Sequence, residues 1–346
     1  MKIVAAIDSF KGSMTSVQAG EAAAKGIHKV DPEAKVYVGP LADGGEGTVE
    51  ALVSGMNGTM RKVSVTGPIG KAVVCEYGVV ENAGGKTGEK TAVIEIAGAA
   101  GLTLLSEKER NPLYTTTYGV GEVIKDAVKN GCRKFIVGIG GSATNDGGAG
   151  MLRKCKFKIA CDVTNVLCGE TGASAVYGPQ KGADEEMVER LDRLLASYAA
   201  LAKKKIPKAD PMYPGAGAAG GLGFAFLTFM NAQLESGIQI VIKETGLEQK
   251  IADSDLVITG EGRMDGQTAM GKAPIGIAKL AKKYGKPVIA FAGAAARDAG
   301  ACNEQGIDAF FPILREPALL EEAMKRENAE KNMEEAVEQA YRLWKL

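Results

Sequence analysis

The sequence predicts an α/β protein of more than one domain. Near both ends of the chain, short apolar runs alternate with amphipathic helical stretches, the rhythm of a parallel sheet. From about residue 60, short alternating strands follow one another without helices between them, which changes the texture. A third observation bears on function. Glycine makes up 46 of the 346 residues, without a period, and gathers in short loops between strands and helices.

Taken in order, residues 2–7 form a short apolar run ending at Asp8, read as a buried strand. Residues 15–29 read as a helix with Thr15 or Ser16 as N-cap. A strand over 35–40 and a helix near 46–55 follow. Residues 61–66, 72–80 and 91–97 alternate like strands. The turn Gly67-Pro68-Ile69-Gly70 and the short gaps between them favour antiparallel pairing. The strand–helix rhythm then returns, with a helix over 117–130, strands over 133–139 and 157–163, and a charged amphipathic helix over 184–204. A Gly/Ala loop at 215–223 opens an apolar helix. A strand at 255–259, a helix at 272–284, a strand at 287–293 and a helical stretch at 317–345 complete the chain.

Composition excludes several classes. The length suits two domains at roughly 150 residues each, and 45% hydrophobic with 24% charged residues is ordinary for a folded enzyme. The 42 basic and 42 acidic residues balance, so nothing points to a nucleic-acid or membrane-surface partner. Cys75, Cys132, Cys155, Cys161, Cys168 and Cys302 form no C-x-x-C pair, and His28 is the only histidine, so the usual zinc sets cannot be assembled. Reduced thiols, an N-terminal run broken by Asp8 and the lack of any membrane-length apolar stretch lead us to expect a cytoplasmic protein.

The glycine loops carry the chemistry. They are Asp8–Ser13, Ala42–Thr48, Gly138–Gly148, Gly178–Ala183 and Thr259–Thr268, each mixing glycine with a carboxylate or a lysine. Such loops turn backbone N–H groups toward a phosphate, and a following helix adds its positive N-terminal end. Carboxylates there would repel a bare phosphate, but they fit a site where Mg²⁺ lies between carboxylate and phosphate. Lys11, Lys181, Arg263 and Lys272 are then placed to stabilise a moving phosphoryl charge. One Gly-Gly turn is usually structural; several with polar cargo are harder to dismiss. No G-x-x-x-x-G-K-[ST] occurs, so this is not a P-loop protein. Gly138-Ile139-Gly140-Gly141-Ser142-Ala143, with Asp162 about 20 residues on, mimics a dinucleotide fingerprint. Asn145-Asp146 interrupts the helix start, which ranks an NAD-linked dehydrogenase low.

At these loops the sequence resembles the bacterial glycerate kinase family. Tyr118–Glu122, Ala160–Asn165 and Gly217–Gly223 also match that family's pattern, in its order, from residue 5 to about residue 293. The resemblance implies transfer of the γ-phosphoryl of ATP to D-glycerate with Mg²⁺, and favours 2-phosphoglycerate as product. It implies a Rossmann-like or flavodoxin-like domain built from both chain ends, with a second α/β domain inserted and the active site in the cleft between them. We place the first domain at 1–65 and 245–346 and the insertion at 66–244, the stretch 112–152 being the hardest to assign. The family usually carries a few dozen more residues between Leu152 and Phe157. That shortening motivates an alternative, a non-catalytic sugar-acid sensor.

On this reading Lys11 clamps phosphate or carboxylate, and Asp8, Ser9, Asp43, Glu46, Arg263 and Lys272 contact substrate. Arg263 suits the glycerate carboxylate because its planar fork binds bidentately. Gly140, Gly141, Ser142, Thr144, Asn145 and Lys181 are expected at the nucleotide, and Asp146 and Glu261 at Mg²⁺. Asp162, just past a strand, is the candidate base for the substrate hydroxyl, with Asp265 an equal rival. The expected partners are ATP and D-glycerate, with no nucleic acid and no membrane; a homodimer is left open.

Overall fold

The computed structural model describes residues 1–81, 88–149, 163–230 and 232–346, and the backbone of 156–160. Its strands are β1 (Lys2–Ile7), β2 (Lys35–Val38), β3 (Thr59–Thr66), β4 (Ala72–Glu81), β5 (Lys90–Glu95), β6 (Cys132–Gly138), β7 (Lys156–Ala160), β8 (Gln233–Glu235), β9 (Leu256–Met264), β10 (Val288–Ala295) and β11 (Ala309–Pro312). They form two sheets in two compact units, Met1–Asp43 with Ile238–Leu346, and Gly44–Gly237.

The first unit holds a parallel sheet in the order β11-β10-β9-β1-β2. Numbered within the unit this is 2-1-3-4-5, the flavodoxin arrangement. The sheet is covered on both faces because side chains of a strand alternate. Ile3, Ala5 and Ile7 pack with the Ser16–Val30 and Arg326–Trp344 helices, whereas Val4 and Ala6 pack with the Ala273–Lys283 helix. Burial on both faces explains why β1 reads as an unbroken apolar run rather than an alternating one.

The second unit holds the sheet β3-β4-β5-β6-β7-β8. Its first three strands are antiparallel and the rest parallel. Its core joins Tyr77, Ile94 and Phe135 from the sheet to Val120 and Val123 of the Tyr118–Lys129 helix and to Leu222 and Phe226 of the Ala218–Phe229 helix.

Several expectations need correction. Residues 44–65, assigned from sequence to the first domain, group with the second unit, because β3 pairs along its length with β4. Residues 238–244 group with the first, where Ile238 and Ile242 join its core. The stretch 112–149 lies in the second unit. The strand expected over 255–259 runs on to Met264, so Glu261 and Arg263 stand on a strand and not in a loop. The C-terminal helical stretch breaks at Lys325, which is extended, into Leu320–Ala323 and Arg326–Trp344. Strands β8 and β11, each only three or four residues long, escaped the sequence pattern. Among the described residues no helix is long and apolar enough to cross a membrane.

Candidate active site

In an open α/β sheet, ligands bind beyond the carboxyl ends of the strands where the strand order reverses. In the first unit that point lies between β1 and β9, and two predicted residues stand there. Asp8 follows β1 directly, its N–H donating to Gly260 O at 2.9 Å. Glu261 sits in the last part of β9. The Ala42–Asp43 segment is brought to the same end through Ser16. Its hydroxyl donates to Ile7 O at 2.6 Å and accepts from Leu41 N–H at 2.7 Å. Gly260 must be glycine, since a Cβ would lie 2.0 Å from Phe291 O on β10.

The electrostatics are those of crowded carboxylates. Asp8 is buried, and its carboxyl is pushed up to about 7 by burial first, then by the negative charges of Asp43 and Glu261. The Ser9 N–H, which donates to Asp8 Oδ1 at 2.7 Å, works the other way, as does Lys11. Glu261 is also raised, mainly by burial, against a 2.5 Å hydrogen bond from Thr268 Oγ1 and the charge of Lys272. Asp265 differs. It caps the short Gly266–Ala269 helix by accepting from Gln267 N–H at 3.0 Å and Thr268 N–H at 3.2 Å. Lys272 Nζ and Arg263 Nε lie 3.8 and 3.7 Å from its oxygens. Partial burial pushes its pKa up, but these N–H groups and cations outweigh that and hold it below its ordinary value. Lys11 and Arg263 are exposed. The hydroxyls of Ser9 and Ser13 are buried and have no partner among the described residues, so donors or acceptors remain there for a ligand.

In the second unit, the loop after β6 is tightly self-bonded. Ser142 and Thr144 are buried, with their hydroxyls 3.0 Å apart, and Ser142 Oγ also accepts from Thr144 N–H. Asn145 Nδ2 donates to Ser174 Oγ at 3.0 Å. Lys181 is buried, donates to Thr144 O at 2.6 Å, and is pulled down to about 8 by burial, with Asp146 opposing. Asp146 Oδ2 accepts from Thr117 N–H at 2.8 Å and Thr117 Oγ1 at 2.9 Å, and Oδ1 accepts from Gly148 N–H at 3.1 Å. Both its oxygens are engaged by the chain, which makes it a pin between the loop and the start of the Tyr118–Lys129 helix. Gly140 and Gly141 stay accessible.

The structure thus brings Asp8, Asp43, Glu261, Asp265 and Lys272 into one electrostatic cluster in the first unit. It brings Ser142, Thr144, Asn145, Asp146 and Lys181 together in the second, with Ser142, Thr144, Asn145 and Lys181 turned inward as the loop's framework. Glu46 is exposed in the second unit. Asp162 lies outside the described residues. Sequence reasoning missed Thr268, Thr117 and Glu95. Thr268 and Thr117 each sit at a helix start close to a carboxylate, a weak signal; Glu95 ends an otherwise apolar strand and was legible as a charge at a strand's carboxyl end.

The model of the glycerate kinase family matches residues 3–154 and 152–345, two stretches that overlap at 152–154. The chain is 43% identical to a glycerate 2-kinase of Escherichia coli K12 and 44% identical to a glycerate kinase of Bacillus subtilis 168, covering 94% of this chain and 93% of each relative. A crystal structure assigned to glycerate kinase 2 of Salmonella typhimurium LT2 superposes with a TM-score of 0.87 at 42% identity, covering 100% of this chain and 98% of that one. The chain belongs to the glycerate kinase family.

Proposed function

We propose that this protein transfers the γ-phosphoryl group of ATP to a hydroxyl of D-glycerate, giving ADP and phosphoglycerate, with 2-phosphoglycerate the favoured product. The observation that carries the reading is the crowding of Asp8, Asp43 and Glu261 at the switch point of a flavodoxin-type sheet, with Lys272 and Lys11 acting on the same carboxylates. Buried like charges of this kind call for positive charge. A divalent cation would supply it, and an oxygen-only donor set would suit Mg²⁺. Among the described residues no three His, Cys, Asp or Glu side chains close a preformed cage. Mg²⁺ is commonly held by only one or two carboxylates, with phosphate and water completing its shell. Glu261 and Asp43 would hold it; Asp146, already saturated by the chain, would not.

The protein's own groups then divide the remaining work. Lys11 and Lys272 stabilise charge on the transferred phosphoryl group. Arg263, held near Asp265, takes the glycerate carboxylate. Asp265, kept ionised, orients these two cations rather than serving as base. Asp8 is partly protonated near neutrality in the free chain. Its ionised form, which Lys11 favours, is able to accept the hydroxyl hydrogen, Asp162 being the second candidate. In the second unit, the accessible Gly140–Gly141 turn offers backbone N–H groups to nucleotide phosphates. We expect a cytoplasmic enzyme, and sedimentation will read whether it is a homodimer.

The test is ADP release from Mg-ATP that requires both D-glycerate and Mg²⁺, followed by phosphorus NMR of the product. A doublet of the 2-phosphate confirms the favoured regiochemistry, and a 3-phosphate corrects it. Calorimetric binding of D-glycerate without any ADP release would overturn the kinase reading in favour of a sensor.

A further inference from the structure

Glu95 ends β5, the third strand of the six-stranded sheet, and belongs to none of the glycine motifs. Its carboxylate Oε1 accepts from Val49 N–H at 2.8 Å, and the N–H groups of Gly47 and Thr48 also bond to it. These are the free amides at the start of the Thr48–Gly55 helix. The turn before that helix offers no side-chain cap of its own, since its N-cap is Gly47, in a left-handed conformation at φ 92°. Glu95 therefore caps the helix from another strand.

The same strand ends hold the turn from beneath. A Cβ on Gly138 would lie 2.6 Å from Gly44 O, and one on Gly140 would lie 2.9 Å from Gly45 Cα. The missing side chains let the Gly44–Gly45 backbone lie directly on the end of β6. Thr48 Oγ1 closes the turn by donating to Gly45 O at 2.7 Å. The turn is the chain's passage from Asp43, the last residue of the first unit's opening segment, into the second unit, and it carries Glu46. Gly44 and Gly47 both have positive φ, so the turn depends on external bonds to select one conformation.

We propose that Glu95 is a positioning residue for the phosphotransfer reaction. By binding the amides of Gly47, Thr48 and Val49 it fixes the Gly44–Gly47 turn, and so Glu46, the carboxylate that the sequence reading expects at substrate. Its role rests on that functional reading, but its geometry can be tested separately. Glu95 touches no reacting atom in this scheme. It acts through the turn, with Gly138 and Gly140 as the floor that makes its reach possible.

The experiment compares wild type with Glu95→Gln and Glu95→Ala in two measurements. Hydrogen exchange followed by mass spectrometry, without nucleotide, reads the peptide covering residues 44–52. Steady-state kinetics read kcat and KM for D-glycerate and ATP at a temperature well below each variant's Tm. The expected result is at least tenfold faster exchange confined to that peptide in Glu95→Ala, and a smaller increase in Glu95→Gln. The same two variants should lose tenfold or more in kcat/KM for D-glycerate in the same order, with KM for ATP changed less than twofold. Unchanged exchange in 44–52 would overturn the clamp. Faster exchange throughout the second unit, or equal losses for both substrates, would also overturn it, because Glu95 would then be a general stabiliser. Absence of turnover in wild type would strike the functional reading, and the exchange result would still decide whether the clamp exists.

Discussion

Asp8→Asn removes the most perturbed carboxyl of the first unit while keeping its shape and its ability to accept the Ser9 N–H. Folding raises the Asp8 pKa from 3.8 to about 7. Between those values the folded chain holds a proton that the unfolded chain has released, so stability falls as pH rises through this window. At about 1.36 kcal/mol per pKa unit, the wild-type protein gives up on the order of 4 kcal/mol by pH 8 through this group. Asparagine does not ionise, so the variant should match wild type near pH 4 and exceed it by several kcal/mol at pH 8. Glu95, which burial raises to about 7, loses stability over the same range. The wild-type slope therefore contains both groups together with Glu261, which burial also raises, and the difference between the two proteins isolates the Asp8 contribution. Urea unfolding at fixed temperature from pH 4.5 to 8.5, in EDTA and without nucleotide, gives that difference directly. Parallel stability curves for the two proteins would refute the reasoning, since Asp8 would then ionise as easily in the folded chain as in the unfolded one.

Three further outcomes follow from the geometry. Asp146→Ala should cost about 2–4 kcal/mol in urea unfolding, because three donors lose a charged acceptor and a helix start loses its negative partner; an unchanged stability with a raised Mg²⁺ requirement would mean that Asp146 serves the metal instead. Ala219 is held at φ 52° and ψ 40° between Ala218 and the left-handed Gly220 and Gly221. Ala219→Gly should stabilise by roughly 0.5–1 kcal/mol, the relief of left-handed strain less the extra entropy of the unfolded glycine, and a thermal melt that moves downward would contradict it. Lys11→Ala and Asp265→Asn should each lower kcat about 100-fold or more, the scale of losing one preorganised charge, with circular dichroism and Tm nearly unchanged; normal turnover in both would place the site elsewhere.

Much of the fold was legible because its signals are local. β1 is an apolar run long enough only for a strand, Thr15 and Gln18 form the capping box that starts the first helix, and the Gly67–Gly70 turn fixes the β3–β4 hairpin. The candidate loops were legible for the same reason: glycine beside a carboxylate at a strand end is a local pattern. The family resemblance then supplied the substrate, which no local pattern carries.

What the sequence could not decide is what depends on neighbours distant along the chain. Glu261 and Arg263 read as loop residues, yet β9 is carried through them because β10 pairs beside it as far as Met264. Asp265 and Asp8 are the same residue type at similar positions, but Asp8 is buried, with two carboxylates beside it, while Asp265 meets two amides and two cations, so their pKa values move in opposite directions. Asp146 reads from sequence as a metal ligand, but its Oδ2 accepts from both the N–H and the hydroxyl of Thr117, 29 residues away, and its Oδ1 from Gly148 N–H. The sequence by itself determined the elements, the glycine loops and the chemical inventory, since propensity and turn chemistry act over a few residues. Only the tertiary structure decided which carboxylates face each other, which are already satisfied, and which one, Glu95, reaches across to hold the turn, since charge and hydrogen bonding act through space.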